Sequence, residues 1–349
     1  MKKIKYLSPI PDNLNFTSSI NRRFRFNNML NILSSTGSLS FNGYANDANK
    51  NFIRKLANGC CAYCGARIGN QTITVEHYRP KAKLEFLDND CYKYQYMNIQ
   101  SKFKQDRDIC HYGYFLWGDD SKNLLPSCEA CNTGQGKNGV YVSNQILYNI
   151  PYGKKNFFPI SLKKQLDTRK GLLYISTIDS EKPLLFNPFQ DNPEELFIYK
   201  DYEKPDCHIK IKVNPNAPRS TRLKAMTTIN LLGLNRRYLC NQRYKVFQSY
   251  KNVTQLLVEG KKSSKNEKFW KNLAFEYLNL FDNDKSEFIG YAMFLEKKYK
   301  IGNLIEDYII TYFSPTKFHK SSDTLSLINQ LKQYAKKQHI SLEQILGTL

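Results

Sequence analysis

The chain has 349 residues, with 52 Lys+Arg against 31 Asp+Glu, a formal net charge of +21 and a pI near 9.4. Hydrophobic residues at 41% and aromatics at 13% exclude an intrinsically disordered chain, and the length suggests roughly two or three domains. No run of roughly 18 apolar residues occurs, which excludes a membrane span as the reading of any segment. The charge points to an anionic partner, most often nucleic acid, although the Lys, Asn, Ile and Tyr excess also fits A/T-rich coding.

In chain order, residues 1–58 read as a partly helical arm with a basic-aromatic stretch from Arg22 to Phe26. Its start meets Pro9 and Pro11 before any apolar segment develops, so no secretory signal is expected and a cytoplasmic location is. Asp47 is the expected cap of a helix whose Phe52, Ile53, Leu56 and Ala57 share one face, and Asn58-Gly59 ends it. Residues 59–160 hold the cysteine-rich region. In residues 161–215 the runs LLYIST, PLLFNPF, LFIY and HIKIKV, parted by turn residues, predict a small β region. From residue 216 to 349 the period becomes helical. Leu223, Met226 and Ile229 mark one helix ending at Gly233, and Leu239, Val246, Phe247, Tyr250, Val253 and Leu257 mark a longer one capped by Asn235. Further helical patterns run through Phe288, Ala292 and Leu295 to a last segment at Ser341–Leu346.

Seven of the nine cysteines fall between Cys60 and Cys131, which reads as a local metal site in a reducing compartment rather than a disulfide framework. Cys61-Ala-Tyr-Cys64-Gly and Cys128-Glu-Ala-Cys131 are two Cys-x-x-Cys turns. Each turn sets two thiolates on one side of a tight knuckle, and two knuckles complete a four-cysteine zinc site. Cys60 rivals Cys61, while Cys91, Cys110 and His111 in the intervening loop are not expected to be ligands. Between the knuckles, residues 72–75 alternate as a strand that Pro80 ends, and it carries Glu76 and His77. Neighbouring strand residues point to opposite sides, so one of the pair faces a metal and the other a substrate. Asn123 precedes the second knuckle and Asn132 follows it directly.

This order of Cys-x-x-Cys, Glu-His, Asn and Cys-Asn resembles the HNH endonuclease motif on a ββα-metal finger. The blocks VEHYRPKAK, GYFLWGDDSKNLLPSCEACN, NFFPI, LLFNPFQDNPEELFIY and TTINLLGLNRRYLCNQR, between Phe52 and Arg243, resemble the HNH nuclease subunit of the Septu anti-phage system (PtuB-like), which also occurs beside some retrons. The resemblance implies an α+β chain: a ββα-metal (HNH, treble-clef) core with its zinc site, a small β segment and an α-helical region that docks a partner. It implies hydrolysis of phosphodiester bonds in DNA or RNA. His77 would be the general base, exposed at a loop; Asn123 would fix the loop that orients it. Glu76 and Asn132 would hold a Mg²⁺ or Mn²⁺ ion, and Arg79 and Lys81 would hold phosphates. The implied partners are an ABC/AAA-type ATPase and, in a retron context, a reverse transcriptase with its RNA–DNA hybrid. Two departures fall in substrate-contacting loops: Gln135 stands where the family usually has lysine, and residues 84–112 form a longer, more charged loop. The rival reading is a catalytically dead, zinc-stapled binding module.

Overall fold

The computed structural model describes residues 3–15, 27–29, 31, 41, 43–69, 74–81, 114–134, 139–141, 147–149, 152–159, 182–199, 208–262, 269, 272–273, 276–277, 279–281 and 287–302. The chain is a mixed α+β protein that divides into two compact units, Met1–Cys240 and Asn241–Leu349.

In the first unit, helix α1 (Asp47–Leu56) is capped one residue earlier than expected, by Asn46, whose side chain accepts from the Asn49 amide at 2.8 Å. Ile53 and Leu56 face inward. Asn58 (φ 52°) and Gly59 (φ 74°) turn the chain out of the helix and into the first knuckle. Strand β1 (Thr74–His77) pairs antiparallel with β2 (Leu124–Ser127), Thr74 opposite Ser127 and His77 opposite Leu124. Cys128 then leads into the short helix α2 (Glu129–Asn132). The first knuckle is tied to this hairpin by the Ala62 amide, which donates to the Pro126 carbonyl at 2.9 Å.

Two further hairpins follow, β3 (Gly139–Tyr141) with β4 (Leu147–Asn149), and β5 (Phe197–Tyr199) with β6 (Ile211–Val213). The one-turn helix α3 (Pro193–Leu196) leads into β5 and is capped by Asn192. The apolar run PLLFNPF folds as turns rather than the expected strand. Asn187 is the cause: its Oδ1 accepts from the Phe189 amide at 3.0 Å, and its own amide donates to Asp191 at 2.7 Å, so the local backbone is satisfied without a ladder. Leu184, Leu185, Phe186 and Phe189 of this run are still buried. Residues 172–177, also expected as a strand, lie outside the described residues. The N-terminal arm adheres to the same turns: the Ile4 amide donates to Pro188, and Tyr6 stacks on Phe189 at 4.4 Å.

Helix α4 (Arg219–Leu231) ends as expected at Gly233, whose φ of 56° no β-carbon tolerates well here, because that carbon would meet Tyr152 at 2.6 Å. Thr228 on α4 accepts from the Phe186 amide at 2.8 Å. Helix α5 (Arg237–Lys262) follows, with Leu239, Tyr250, Val253 and Leu257 buried as the periodicity predicts. Asn235 spends its amide on both backbone groups of Ile211.

In the second unit, α6 (Ile289–Tyr299) is bounded by Phe288 and Lys300, both left-handed, and buries Ala292 and Leu295. Glu296 of α6 accepts from the Tyr250 hydroxyl at 2.7 Å and from the Gly302 amide at 3.0 Å. The segment Ser341–Leu346 and the basic-aromatic stretch Arg22–Phe26 lie outside the described residues. No helix among the described residues is long and apolar enough to cross a membrane.

Candidate metal centre and histidine site

The four cysteines Cys61, Cys64, Cys128 and Cys131 bring their sulfur atoms within 4.8 Å of one another. Four thiolates at about 2.3 Å from one zinc ion stand about 3.8 Å apart along the edges of the tetrahedron. The Cys64–Cys128 pair lies at 3.8 Å, so the donor set fits a structural metal such as zinc. Cys61, Cys64 and Cys131 are buried, and Cys61 rather than its neighbour Cys60 joins the cluster. Backbone geometry explains the local shape. The Gly65 amide donates to Cys61 across the knuckle at a φ of 79°, and the Cys131 and Asn132 amides donate back to Cys128. Hydrogen bonding among the four sulfurs lowers the Cys64 thiol well below the ordinary range and raises those of Cys128 and Cys131, so the cluster shares its protons until a cation replaces them. Cys91, Cys110 and His111 lie outside the described residues.

His77 ends strand β1 and is 8% exposed, so the expected exposed position at a loop gives way to a buried one at a strand end. Tyr44 packs edge-on against the imidazole with ring centroids 5.0 Å apart. The imidazole Nε2 lies 2.7 Å from the Gly118 carbonyl. A carbonyl only accepts, so Nε2 carries the proton and Nδ1 keeps its lone pair. Burial, together with the positive charges of Lys81 and Lys154, pushes His77 down to about 3, against the opposing pull of the Gly118 hydrogen bond. The ring is therefore a neutral base at neutral pH.

Asn123 pins the loop that bears Gly118 to the end of β1. Its Nδ2 donates to the carbonyls of Arg79 at 2.9 Å and Trp117 at 3.0 Å, and its Oδ1 accepts from the Arg79 amide at 2.7 Å. Its backbone carbonyl accepts from Tyr78 as well. With this one side chain the protein locks the strand end against Trp117, next to the carbonyl that orients His77.

Glu76 points into the interior, 3% exposed, and pairs with the fully buried ammonium of Lys154 at 2.6 Å. Burial raises the Glu76 carboxyl while Lys154 opposes that shift. As arranged, the pair does not present the open carboxylate that a magnesium site needs. Asn132 is the last residue of α2 and half-buried; its carbonyl accepts from Lys155 at 2.6 Å, beside the Lys154 amide bound to the Cys131 carbonyl at 2.8 Å. The segment of Lys154 therefore lies along the end of the second knuckle. Lys81 reaches the Tyr44 hydroxyl and sits over the Phe41 and Tyr44 rings, whereas the Arg79 guanidinium lies 4.8 Å from the Phe158 centroid and 5.1 Å from that of Tyr114. Sequence reasoning missed Lys154, Gly118, Tyr44 and Arg236. None sits at a fixed spacing from the knuckles, and Tyr152-Gly153-Lys154 reads as an ordinary linker.

Taken together, a four-cysteine cluster that could bind a metal such as zinc staples the β1–β2 hairpin, and the buried, neutral His77 stands at the end of β1. Distant homology links the chain to the Septu proteins. It is 27% identical over 207 residues to the "Septu protein PtuB" of Bacillus mycoides (strain KBAB4), covering 59% of this chain and 53% of that protein. It is 25% identical over 207 residues to the "Septu protein PtuA" of the same organism, covering 59% of this chain and 21% of that protein. The chain thus spans about half the length of the first relative and a fifth of the second. No family model and no solved structure matches.

Proposed function

We propose that the chain is an HNH-type endonuclease on a ββα-metal core, hydrolysing nucleic-acid phosphodiester bonds as the effector of a Septu or retron-type anti-phage system. The observation that carries this reading is the neutral His77, fixed through Nε2 by the Gly118 carbonyl, with Asn123 locking that loop to the strand beneath it. Its distant kinship to PtuB supports the defence role.

In the proposed reaction Nδ1 of His77 takes a proton from the attacking water. The Nε2–H···O bond to Gly118 keeps the ring in the tautomer that can do so and stabilises the imidazolium as it forms. Lys81, beside the base, meets the phosphate; Arg79, held against two rings, adds positive potential. Glu76 and Asn132 are the proposed oxygen ligands of a Mg²⁺ or Mn²⁺ ion, whose chemistry when bound is to offset charge on the phosphate oxygens. Lys154 would have to release Glu76 for the carboxylate to reach an ion. The zinc site staples the hairpin and takes no part in the chemistry.

The partner proposed from the kinship is an ABC/AAA-type ATPase of the Septu kind, with a retron reverse transcriptase and its RNA–DNA hybrid as the alternative context. The substrate is DNA or RNA. A second reading, a catalytically inactive binding or scaffold subunit, is favoured by the Glu76–Lys154 ion pair and by the burial of His77, whose depression to about 3 makes it a weak base. A plaque assay on cells carrying the chain with its neighbouring genes separates the two. Protection lost in His77→Ala at unchanged protein level supports the nuclease; protection retained supports the scaffold.

A further inference from the structure

Arg236 lies outside the finger, in the turn between α4 and α5, yet it is 5% exposed and reaches the four-cysteine cluster. Its Nη1 lies 3.5 Å from the Cys131 sulfur, and its Nη2 lies 3.5 Å from Cys131 and 3.6 Å from Cys128. The same guanidinium donates to the carbonyls of Leu232 at 3.0 Å and Gly233 at 3.4 Å, at the C-terminal end of α4. Tyr152 lies against the other side, its ring centroid 5.5 Å from the guanidinium carbon. The planar fork is therefore held by an aromatic ring and by Nη1, which is shared among two helix-end carbonyls and Cys131, while Nη2 faces both sulfurs of one knuckle.

The surrounding backbone is built to allow this approach. Gly134 follows α2 at a φ of 74°, and a β-carbon there would meet the Tyr152 carbonyl oxygen at 1.8 Å. Gly153 has a φ of 109°, donates to the Leu231 carbonyl at 2.8 Å, and abuts Gly134. Gly233 admits Tyr152 from the other side. Three glycines thus let one segment thread between the second knuckle and the end of α4, which brings Arg236 to the thiolates.

We propose that Arg236 is the outer-shell partner of the four-thiolate metal site, offsetting its negative charge through N–H···S bonds and clamping the α4–α5 turn onto the second knuckle. A dication on four thiolates carries a net charge of two minus, and burying it is costly unless a fixed cation lies beside it. Arg suits this place because its charge is permanent and its donors are forked; a lysine reaches a single sulfur as a point charge. Arg236 thus reaches Cys128 and Cys131 from 108 and 105 residues further along the chain.

The test uses the full zinc-loaded chain and its Arg236→Met and Arg236→Lys variants. Zinc transfer to a chromogenic chelator should be about 10–100-fold faster in Arg236→Met, the usual effect of losing an outer-shell partner, and intermediate in Arg236→Lys. In the cobalt-substituted proteins the sulfur-to-cobalt charge-transfer band should move to lower energy, because the thiolates lose N–H···S bonds. A role in packing alone leaves that band in place. Should Arg236→Met fail to fold, Arg236→Lys decides: transfer at least threefold faster with a shifted band upholds the proposal. Transfer within twofold of the parent with an unmoved band, in whichever variant folds, overturns it.

Discussion

Replacing Asn123 by alanine removes three hydrogen bonds at once: two donated by its Nδ2 to the Arg79 and Trp117 carbonyls, and one accepted by its Oδ1 from the Arg79 amide. The residue is 2% exposed, while its partners Arg79 and Trp117 are half-buried, so water reaches these groups only in part. The Trp117 carbonyl keeps the Asp120 amide at 3.3 Å, and an unsatisfied buried polar group costs about 1–3 kcal/mol, which puts the two Arg79 groups at about 2–6 kcal/mol. Water filling the vacated space returns part of that, so a loss of about 3 kcal/mol is expected, a large share of the 5–15 kcal/mol typical of a folded domain (about the usual range). Urea unfolding followed by tryptophan fluorescence measures it, with Trp117 reporting from the loop itself. Asn123→Asp should lose as much near neutral pH, because a carboxylate then faces two carbonyls, and should recover part as the pH falls and it is protonated. A stability within about 0.5 kcal/mol of the parent for Asn123→Ala would refute the clamp and, with it, the argument that Asn123 orients His77 through the loop.

Cys64→Ser should abolish stoichiometric zinc and cost at least about 4 kcal/mol, since the knuckles have little core of their own; metal analysis and melting check both, and an unchanged melting temperature without metal would rule out the zinc site. The His77 imidazole sets a pH dependence whose sign follows from its depressed value. Unfolded it binds a proton below about 6.5, whereas folded it stays neutral down to about 3, so the unfolded state binds more protons between those limits. Stability should fall as pH drops through that window, by up to about 1.4 kcal/mol per pH unit, and His77→Gln should lack this component. Lys154→Met leaves the Glu76 carboxylate buried without this partner and should cost about 3–5 kcal/mol, while Lys154→Met/Glu76→Gln should cost less than the sum of the two single changes; additivity within about 0.5 kcal/mol would mean that the pair is not coupled.

The parts of the site readable in the sequence are those whose geometry is local. A Cys-x-x-Cys turn constrains its own sulfurs, and two of them in one chain leave few other readings, which is why Cys61, Cys64, Cys128 and Cys131 converge. The helical periods of α5 and α6 were legible for the same reason: Leu239, Val253, Ala292 and Leu295 repeat on one face and are buried. Groups recruited from distant segments left no such trace. Lys154 reaches Glu76 because three glycines let its segment pass the second knuckle, and nothing in Tyr152-Gly153-Lys154 announces a buried ammonium. Arg236 reads as one of two arginines at the start of a helix, with only its neighbour exposed. The burial of His77 is not legible in the sequence because Tyr44 and Gly118, both from distant segments, pack against it. PLLFNPF was misread because an apolar run is equally consistent with a ladder and with turns whose side chains point inward; Asn187 decides between them.

The central claim is that this finger cleaves phosphodiester bonds through His77. The measurement is cleavage of plasmid, single-stranded DNA and total RNA by the purified full chain, alone and with the proposed ATPase partner, across a Mg²⁺ and Mn²⁺ titration and in excess chelator. The expected result is metal-dependent cleavage of at least one substrate, reduced about 10²–10⁴-fold in His77→Ala at unchanged zinc content. Cleavage by His77→Ala at the parental rate, or none of any substrate under every condition, would contradict it.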